Sequence, residues 1–195
     1  MPNIYMTCGI SGSGKTTFAK QFKEKVNAVE VSTGTVRAQV GRYTRERHDE
    51  VWNLVDAETE RQVEAGNNVI LTNSNLSYNR IKKWVDKFPL SKIILLIIED
   101  SFNLQLCKNR IANRGEDASE YSKIPPEVSD EQYAKFHRLL RHLSTKVDTP
   151  KNLEVVMVSN TFELTTIEDL SALGERIDKS VFEKELSERA SKAGL

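Results

Sequence analysis

The chain has 195 residues, of which 38% are hydrophobic and 29% charged, and its 28 basic side chains balance 28 acidic ones. These values support a packed core in one domain with room for an appendage, and they exclude a wholly disordered chain and a chain-wide basic field, although not a local basic patch. Because the chain has two cysteines, no signal peptide and no apolar run near the ~20 residues of a membrane span, we expect a reduced, cytoplasmic protein without membrane contact.

Predicted strands alternate with predicted helices along the chain. The order is a strand at 4–8, a glycine-rich turn, a helix from about Lys15, a strand at 28–31, a helix at 48–65, a strand at 69–71, a helix at 77–87, a strand at 93–98, helices at 104–113 and 129–143, a last strand at 153–158, and a helical pattern from Thr166 onward. This alternation predicts an α/β fold with a parallel sheet covered by helices on both faces. Ligands of such sheets bind beyond the carboxyl ends of the strands.

The turn between the first strand and the first helix carries the most specific functional motif. Residues 9–16 read GISGSGKT, the GxxxxGKT pattern of a phosphate loop (P-loop), in the strand–loop–helix context that the pattern requires. Its glycines let backbone N–H groups converge on a phosphate, Lys15 can reach the β- and γ-phosphates, and the Thr16 hydroxyl can ligate Mg²⁺. We therefore expect ATP and Mg²⁺ as ligands. The residues of this segment expected to contact ATP are Gly9, Ser11, Gly12, Ser13, Gly14, Lys15, Thr16 and Thr17.

Three further segments follow the predicted strand ends. Residues 73–76 read NSNL and lead to Arg80, a later helix carries Cys107, Arg110 and Arg114, and residues 124–128 read IPPEV. In this order and spacing, from the phosphate loop to about residue 140, the chain resembles the polynucleotide 5′-hydroxyl kinases of phage and bacterial type. The resemblance implies an adenylate-kinase-like, five-stranded parallel sheet and transfer of the ATP γ-phosphate to a nucleic-acid hydroxyl. We expect a P-loop kinase domain over residues 1–160 with a small lid at about 108–128, and a C-terminal helical extension packed on it over 161–195.

The basic side chains of these segments have expected roles. Arg114 would close the lid over the phosphates, because a guanidinium fork stabilises the negative charge that gathers on the oxygens during transfer. Arg110, one helical turn earlier, would assist it at the nucleotide. Arg37 matches the family's acceptor-binding arginine after the second strand. We therefore expect Lys15, Arg37 and Arg114 to be the catalytic residues.

Two carboxylates of the family are missing here. The family's general base is an aspartate three residues before the acceptor-binding arginine, and Gly34 stands at that position. Its aspartate after the third strand is matched by Asn73, which keeps hydrogen-bonding ability but lacks the charge that favours Mg²⁺ or its bound water. We still expect Asn73 near the water shell of the ion, beside Thr16.

Three accounts of this loss remain open. The protein is a kinase with a displaced base, for which Glu30, Asp49 and Glu50 are candidates, although each is typical of a surface carboxylate. Alternatively, it is a kinase that relies on positioning and charge neutralisation, which supply most of the acceleration in phosphoryl transfer. In the third account it binds ATP or nucleic acid without transferring phosphate. The acceptor is also open, since a hydroxymethylated base in DNA, a nucleoside or a small metabolite would fit an altered site, and the oligomeric state is not indicated.

Local basic and aromatic residues indicate where nucleic acid, DNA or RNA, would bind. The basic side chains form two clusters along the chain, Arg42, Arg45, Arg47 and His48 in the first and Arg138, Arg141 and His142 in the second. Tyr43, Trp52 and Tyr133 have rings able to stack on bases. Packing in or near the core is nevertheless the favoured interpretation of Trp52, and packing under the lid that of Tyr133.

Overall fold

The structure, a computed structural model, describes residues 1–40, 47–114, 125–145 and 149–183. Its strands are β1 (Ile4–Cys8), β2 (Ala28–Val31), β3 (Asn68–Leu71), β4 (Ile93–Ile98), β5 (Leu153–Val158) and β6 (Leu164–Thr166). Its α-helices are α1 (Lys15–Lys25), α2 (Thr33–Val40), α3 (His48–Glu64), α4 (Tyr78–Lys87), α5 (Leu104–Ala112) and α6 (Pro126–Ser144), and 3₁₀ helices cover Glu99–Phe102 and Leu170–Arg176. The predicted alternation of strands and helices is therefore confirmed.

The described strands form one six-stranded sheet in the order β2-β3-β1-β4-β5-β6. β1 lies between β3 and β4 in parallel register, with Met6 opposite both Leu71 and Leu95. The strands β1 to β5 are parallel, and β6 pairs antiparallel with β5. The predicted α/β fold with helices flanking the sheet is confirmed, whereas the expectation of a purely parallel, five-stranded sheet is corrected by β6.

Helices cover both faces of this sheet. All six residues of β4, with the sequence IILLII, are buried, as expected for a central strand whose alternate side chains enter two separate cores. One core contains Phe18 and Phe22 of α1, and the other contains Trp84 of α4 and Phe136 of α6. Since burying one large apolar side chain contributes about 1.5–3 kcal/mol, these cores fix the sheet edge from which the functional loops extend.

The helix α2 was not predicted from the sequence. The segment after β2 combines Gly34 with two threonines, which are poor helix formers, so it carries little local signal for a helix. In the structure Ser32 caps the helix through its hydroxyl, which accepts from the N–H of Thr35 at 3.0 Å, while the Thr35 hydroxyl accepts from the N–H of Ser32 at 3.2 Å. This reciprocal cap compensates for the weak propensity of the first turn.

Two further predictions about helices were wrong. The helix predicted to begin at Ser129 begins at Pro126, because proline lacks an N–H that the first helical turn could not have paired anyway. Over residues 166–177 the helix predicted from Thr166 onward is replaced by the end of β6 and the 3₁₀ helix Leu170–Arg176. Residues 180–183 are helical, as predicted, and residues 184–195 lie outside the described part of the chain. Apolar residues at spacings of three and four over 167–177 resemble a helical stripe, but here they pack a short segment against α6.

The predicted lid is described only at its ends. Residues 108–112 belong to α5 and residues 126–128 to α6, whereas residues 115–124 lie outside the described part of the chain. The C-terminal segment, residues 167–183, docks on α6. There the backbone N–H of Asp178 donates to Nδ1 of buried His137 at 3.1 Å. Within the described ranges, none of the helices has the length and apolar character that crossing a membrane would require.

Candidate functional site

A cavity of about 1310 Å³ lies at the carboxyl ends of the parallel strands. Its walls are the loop after β1, the first turn of α2, the loop after β3, the residues after β4 and β5, and side chains of α3, α4, α5 and α6. Pockets for a single small ligand typically enclose about 300–1,000 Å³. The cavity therefore has the volume for a nucleotide and a second molecule, and it lies at the sheet edge where the sequence predicted ligands.

Glycine conformations shape the phosphate loop. Gly12 and Gly14 have φ angles of +84° and +95°, in the left-handed region that side chains rarely adopt. A Cβ on Gly12 would lie 2.3 Å from the carbonyl oxygen of Cys107, so the loop packs directly against the backbone of α5. No side chain caps the start of α1 after Gly14. The first N–H groups of α1, which have no intrahelical acceptor, therefore form a site for an anion together with the helix dipole.

Lys15 lies in the first turn of α1 and folds back over this loop. Its Nζ donates to the carbonyl oxygen of Ile10 at 2.6 Å. The pKa of Lys15 is lowered to about 8, chiefly by burial of the ammonium group, with a smaller contribution from the charge of Arg114. Burial also raises the pKa of Cys8, next to Lys15, to about 12, so that its thiol remains neutral. An anion bound to the loop would supply the negative partner that this ammonium requires.

The two arginines near the end of α5 differ in their surroundings. Arg110 pairs through Nη1 with Asp100 at 2.6 Å and lies 3.4 Å from the carbonyl oxygen of Gly12. It therefore connects α5 to the phosphate loop and to the residues after β4. Arg114 is exposed on the cavity wall, just beyond the end of α5. Lys15 and Arg114 both line the cavity, and the charge of Arg114 contributes to the lowered pKa of Lys15, so the two cations interact electrostatically.

The loop after β3 is attached to its neighbours by hydrogen bonds. The Thr7 hydroxyl donates to the carbonyl oxygen of Asn73 at 2.9 Å, and the N–H of Gly9 donates to the carbonyl oxygen of Ser74 at 3.1 Å. Asn75, whose φ is +46°, donates through Nδ2 to the carbonyl oxygen of Thr7 at 2.9 Å. The NSNL segment therefore holds a fixed position beside the phosphate loop.

The donors in the cavity fit Mg²⁺ that is held mainly by a nucleotide. Thr16 is exposed on the cavity wall in the first turn of α1. The Oδ1 of Asn73 accepts from the N–H of Thr33 at 2.9 Å, so this oxygen already positions the start of α2. No cluster of three or more His, Cys, Asp or Glu side chains that could hold a metal occurs among the described residues. Because Mg²⁺ usually keeps several waters and binds phosphates plus one or two protein groups, Thr16 suits this mode better than Asn73.

The predicted acceptor residues lie in α2. Arg37 belongs to this helix, and its side chain is outside the described part of the structure. Gly34 is exposed on the cavity wall in the first turn of α2. Among the described residues, a Cβ at this position would contact only the Ser32 hydroxyl, at 3.5 Å, which is an ordinary contact. The start of α2 is therefore both open to the cavity and tolerant of a side chain.

Only one of the three candidate bases lies in the cavity. Glu30 lines it, with its side chain 17% exposed and 3.6 Å from the ammonium group of Lys23. Asp49 and Glu50 are exposed at the start of α3 and do not contribute to the cavity wall, and Glu50 pairs with Arg47 at 2.8 Å. The geometry therefore favours Glu30 among these carboxylates.

Gln132 is a site residue that the sequence did not indicate. It reaches from α6 into the phosphate loop, where its Oε1 accepts from the N–H of Ser11 at 2.7 Å. The N–H of Ser11, which was expected to contact ATP, is thus paired with the protein itself. A glutamine within a polar helix carries no spacing or motif from which this contact could be predicted.

The basic clusters have different outcomes. In the second cluster, the guanidinium carbon of Arg141 lies 5.0 Å from the centre of the Phe182 ring in the C-terminal segment. The centres of the His142 and Tyr78 rings lie 4.2 Å apart. Tyr133 packs beside the same segment, and its hydroxyl lies 3.2 Å from the Asp178 carboxylate. Arg141 and Tyr133 therefore help to dock the C-terminal segment, whereas His142 packs against α4. Three residues in or beside the first cluster lie outside the described part of the chain: Arg42, Arg45 and the neighbouring Tyr43.

Several solved structures share this fold at low sequence identity. One chain of the Pnkp1/Rnl/Hen1 RNA repair complex aligns with 72% of this chain at 20% identity and a TM-score of 0.61, and the aligned part is 46% of that chain, less than half its length. The PezAT toxin-antitoxin system of Streptococcus pneumoniae aligns with 98% of this chain and 85% of that chain, at 17% identity and a TM-score of 0.60. A sugar kinase from a Janibacter species aligns with 90% of this chain and 92% of that chain, at 16% identity and a TM-score of 0.54. At these identities the likeness establishes the fold alone.

The sequence itself matches a described family. No curated protein sequence matches the chain significantly. A family model described as an AAA domain matches residues 4–139, from the start of β1 into α6. This range includes the phosphate loop, Arg114 and Gln132, and it covers well over half of the chain. The chain therefore belongs to this AAA domain family and has a P-loop kinase-like fold.

Proposed function

We propose that the protein is an ATP-dependent phosphotransferase that moves the γ-phosphate of ATP to a hydroxyl group of a nucleic acid, with a 5′-hydroxyl as the preferred acceptor. The observation that carries this proposal is that the phosphate loop and the open start of α2 line the same cavity. The order of motifs shared with polynucleotide kinases supports the nucleic-acid acceptor. A nucleoside, a sugar or a hydroxymethylated base is the alternative acceptor that the experiment below separates.

The residues of the cavity suit the charge changes of phosphoryl transfer. The acceptor oxygen forms a bond to the γ-phosphorus while the bond from that phosphorus to the β–γ bridging oxygen breaks, and ADP leaves with the electron pair. Lys15 and the N–H groups at the start of α1 hold the phosphates, and Arg114 neutralises charge on the transferred group. Mg²⁺ bound to the nucleotide, with Thr16 as its protein ligand, would neutralise further phosphate charge. The acceptor proton passes to Glu30 or to water, and this loose transition state depends on the base less than on positioning.

Three acceptors distinguish the proposed activity from its alternatives. The full chain is incubated with γ-labelled ATP, Mg²⁺ and a 5′-hydroxyl oligonucleotide, DNA with hydroxymethylated bases, or a nucleoside and sugar pool. We expect label on the oligonucleotide, and none with Lys15→Ala. Label only on the modified DNA or on the pool would replace the acceptor in this proposal. ATP binding without label on any acceptor would show a nucleotide-dependent binding protein instead.

Arg110, within α5, and Arg114, just beyond the end of α5, are expected to cause different kinetic defects when they are replaced. Arg114→Ala is expected to lower kcat by about 10²-fold or more with a small change in KM for ATP, since Arg114 would act on the charge that develops during transfer. Arg110→Ala is expected mainly to raise KM for ATP, because it removes the contacts of α5 with Asp100 and the phosphate loop. Steady-state kinetics at varied ATP concentration measure both. Equal effects on kcat and KM in the two variants would contradict separate roles.

A further inference from the structure

An indole and a guanidinium group form one stacked pair on the wall of the cavity. Trp52 of α3 and Arg80 of α4 both line it, and the Arg80 guanidinium carbon lies 3.8 Å from the centre of the Trp52 ring. Trp52 is only partly buried, at the edge of the core below it. The sequence favours packing of Trp52 in or near the core. The structure shows that Trp52 packs against the core and also lines the cavity.

The guanidinium of Arg80 is positioned by contacts of its terminal nitrogen atoms with a buried carboxylate. Its Nη1 and Nη2 both contact the carboxylate of Asp56, which lies one helical turn after Trp52 in α3. Lys83, one turn after Arg80 in α4, donates to the same carboxylate at 2.5 Å. Asp56 is buried, with 9% of its surface exposed, so this network is fixed by its surroundings. Because Asp56 contacts the Nη1 and Nη2 end of the guanidinium in its plane, the flat face of the group is left to stack on the Trp52 ring.

We infer that the Trp52–Arg80 pair binds the base of the acceptor nucleoside, next to the hydroxyl that is phosphorylated. The inference rests on the proposed function and narrows it, because it specifies an acceptor that carries an aromatic ring. Aromatic side chains and guanidinium planes are the surfaces on which proteins stack single-stranded bases. A sugar alone has no planar π-face of this kind to offer.

The charge of the network favours a stacked base over a terminal phosphate. Asp56 offsets one of the two positive charges of Arg80 and Lys83 and engages Nη1 and Nη2 of Arg80, two of the groups with which an arginine grips a phosphate. The phosphate-binding groups lie instead at the phosphate loop, which lines the same cavity. The volume of the cavity admits a nucleotide and an acceptor nucleoside together.

Binding of paired acceptors tests this inference without requiring turnover. The probes are a 5′-hydroxyl dinucleotide and the same molecule with an abasic first position, titrated by calorimetry into the full chain with a non-transferable ATP analogue and Mg²⁺. We expect the base to tighten binding roughly tenfold, as stacking on one side chain typically contributes. Trp52→Ala is expected to remove this difference, and Trp52→Phe, which keeps a planar ring, is expected to retain most of it.

Fluorescence gives an independent reading of the same contact. The chain has two tryptophans, Trp52 and Trp84, and Trp84 is fully buried. The base-bearing probe should therefore quench the fluorescence of Trp52 in the wild-type protein. In Trp52→Phe, where Trp84 alone emits, the same probe should leave the fluorescence unchanged. Equal affinity of the two probes for wild type, a base preference that survives in folded Trp52→Ala, or no binding of either probe would overturn the inference. If the base tightens binding but no phosphate is transferred, the proposed function is rejected and the inference about the base stands. If phosphate is transferred equally well to acceptors with and without the base, the inference is rejected and the proposed function stands.

Discussion

Lys15→Ala is expected to lower phosphate transfer by about 10²–10³-fold and to weaken ATP binding, because it removes the cation nearest to the phosphate loop. The half-buried ammonium lies against the carbonyl oxygen of Ile10, and burial lowers its pKa to about 8. Burial disfavours the charged form of Lys15 in the free protein. An anionic ligand bound to the phosphate loop would offset this unfavourable effect. Transfer is measured with labelled ATP, and binding is measured by calorimetry.

Lys20→Ala is the matched control for this variant. Lys20 also lines the cavity and lies on α1, but it is exposed and more than one helical turn beyond Lys15. We expect its removal to change transfer by less than about threefold, as for an exposed charge that interacts through water.

Thermal unfolding separates a binding defect from a folding defect in Lys15→Ala. Because the native state disfavours the buried ammonium relative to the unfolded chain, alanine at this position is expected to leave Tm unchanged or to raise it. A large fall in Tm would show that Lys15 holds the loop together. Unchanged ATP affinity in a folded variant would contradict the assignment of the phosphate site.

Local sequence patterns were sufficient to predict the strands at the centre of the sheet and the phosphate loop. β4 is a run of six apolar residues, and GxxxxGKT needs a particular backbone geometry that few other sequences adopt. In contrast, α2 depends on a reciprocal cap between Ser32 and Thr35 that outweighs poor helix formers. The edge strand β6 is three residues long and exposed, so its pairing with β5 is a tertiary property with little local signal.

The contacts that define the site beyond the phosphate loop join residues far apart in the chain. Gln132 meets Ser11 across 121 positions, and Arg80 meets Asp56 across 24. Hydrogen bonds and stacking at such separations follow from how helices pack, which periodicity does not encode. The sequence identified Arg110 and Arg114 as a pair by their spacing, and the structure adds the ion pair that connects Arg110 to Asp100.

The proposed polynucleotide kinase activity also predicts a gain of function at the start of α2. Gly34→Asp places a carboxylate where the family resemblance expects the general base, and it should raise kcat on a 5′-hydroxyl oligonucleotide at least tenfold, within the roughly 10²–10⁴-fold that general-base catalysis contributes. The position is exposed to the cavity, and within the described part of the chain a Cβ there makes only an ordinary contact with Ser32.

Helix electrostatics should make this substitution compatible with folding. A carboxylate in the first turn of α2 interacts favourably with the helix dipole, by about 0.3–1 kcal/mol, so we expect Tm to remain equal or to rise. Gly34→Asn is the matched control, since it has nearly the same shape and no charge, and it should not raise kcat. Glu30→Gln should slow the wild type if Glu30 accepts the proton, and it should have less effect once aspartate occupies position 34. A folded Gly34→Asp variant no faster than Gly34→Asn would mean that the acceptor hydroxyl does not approach the start of α2, and the acceptor would then have to enter from another wall of the cavity.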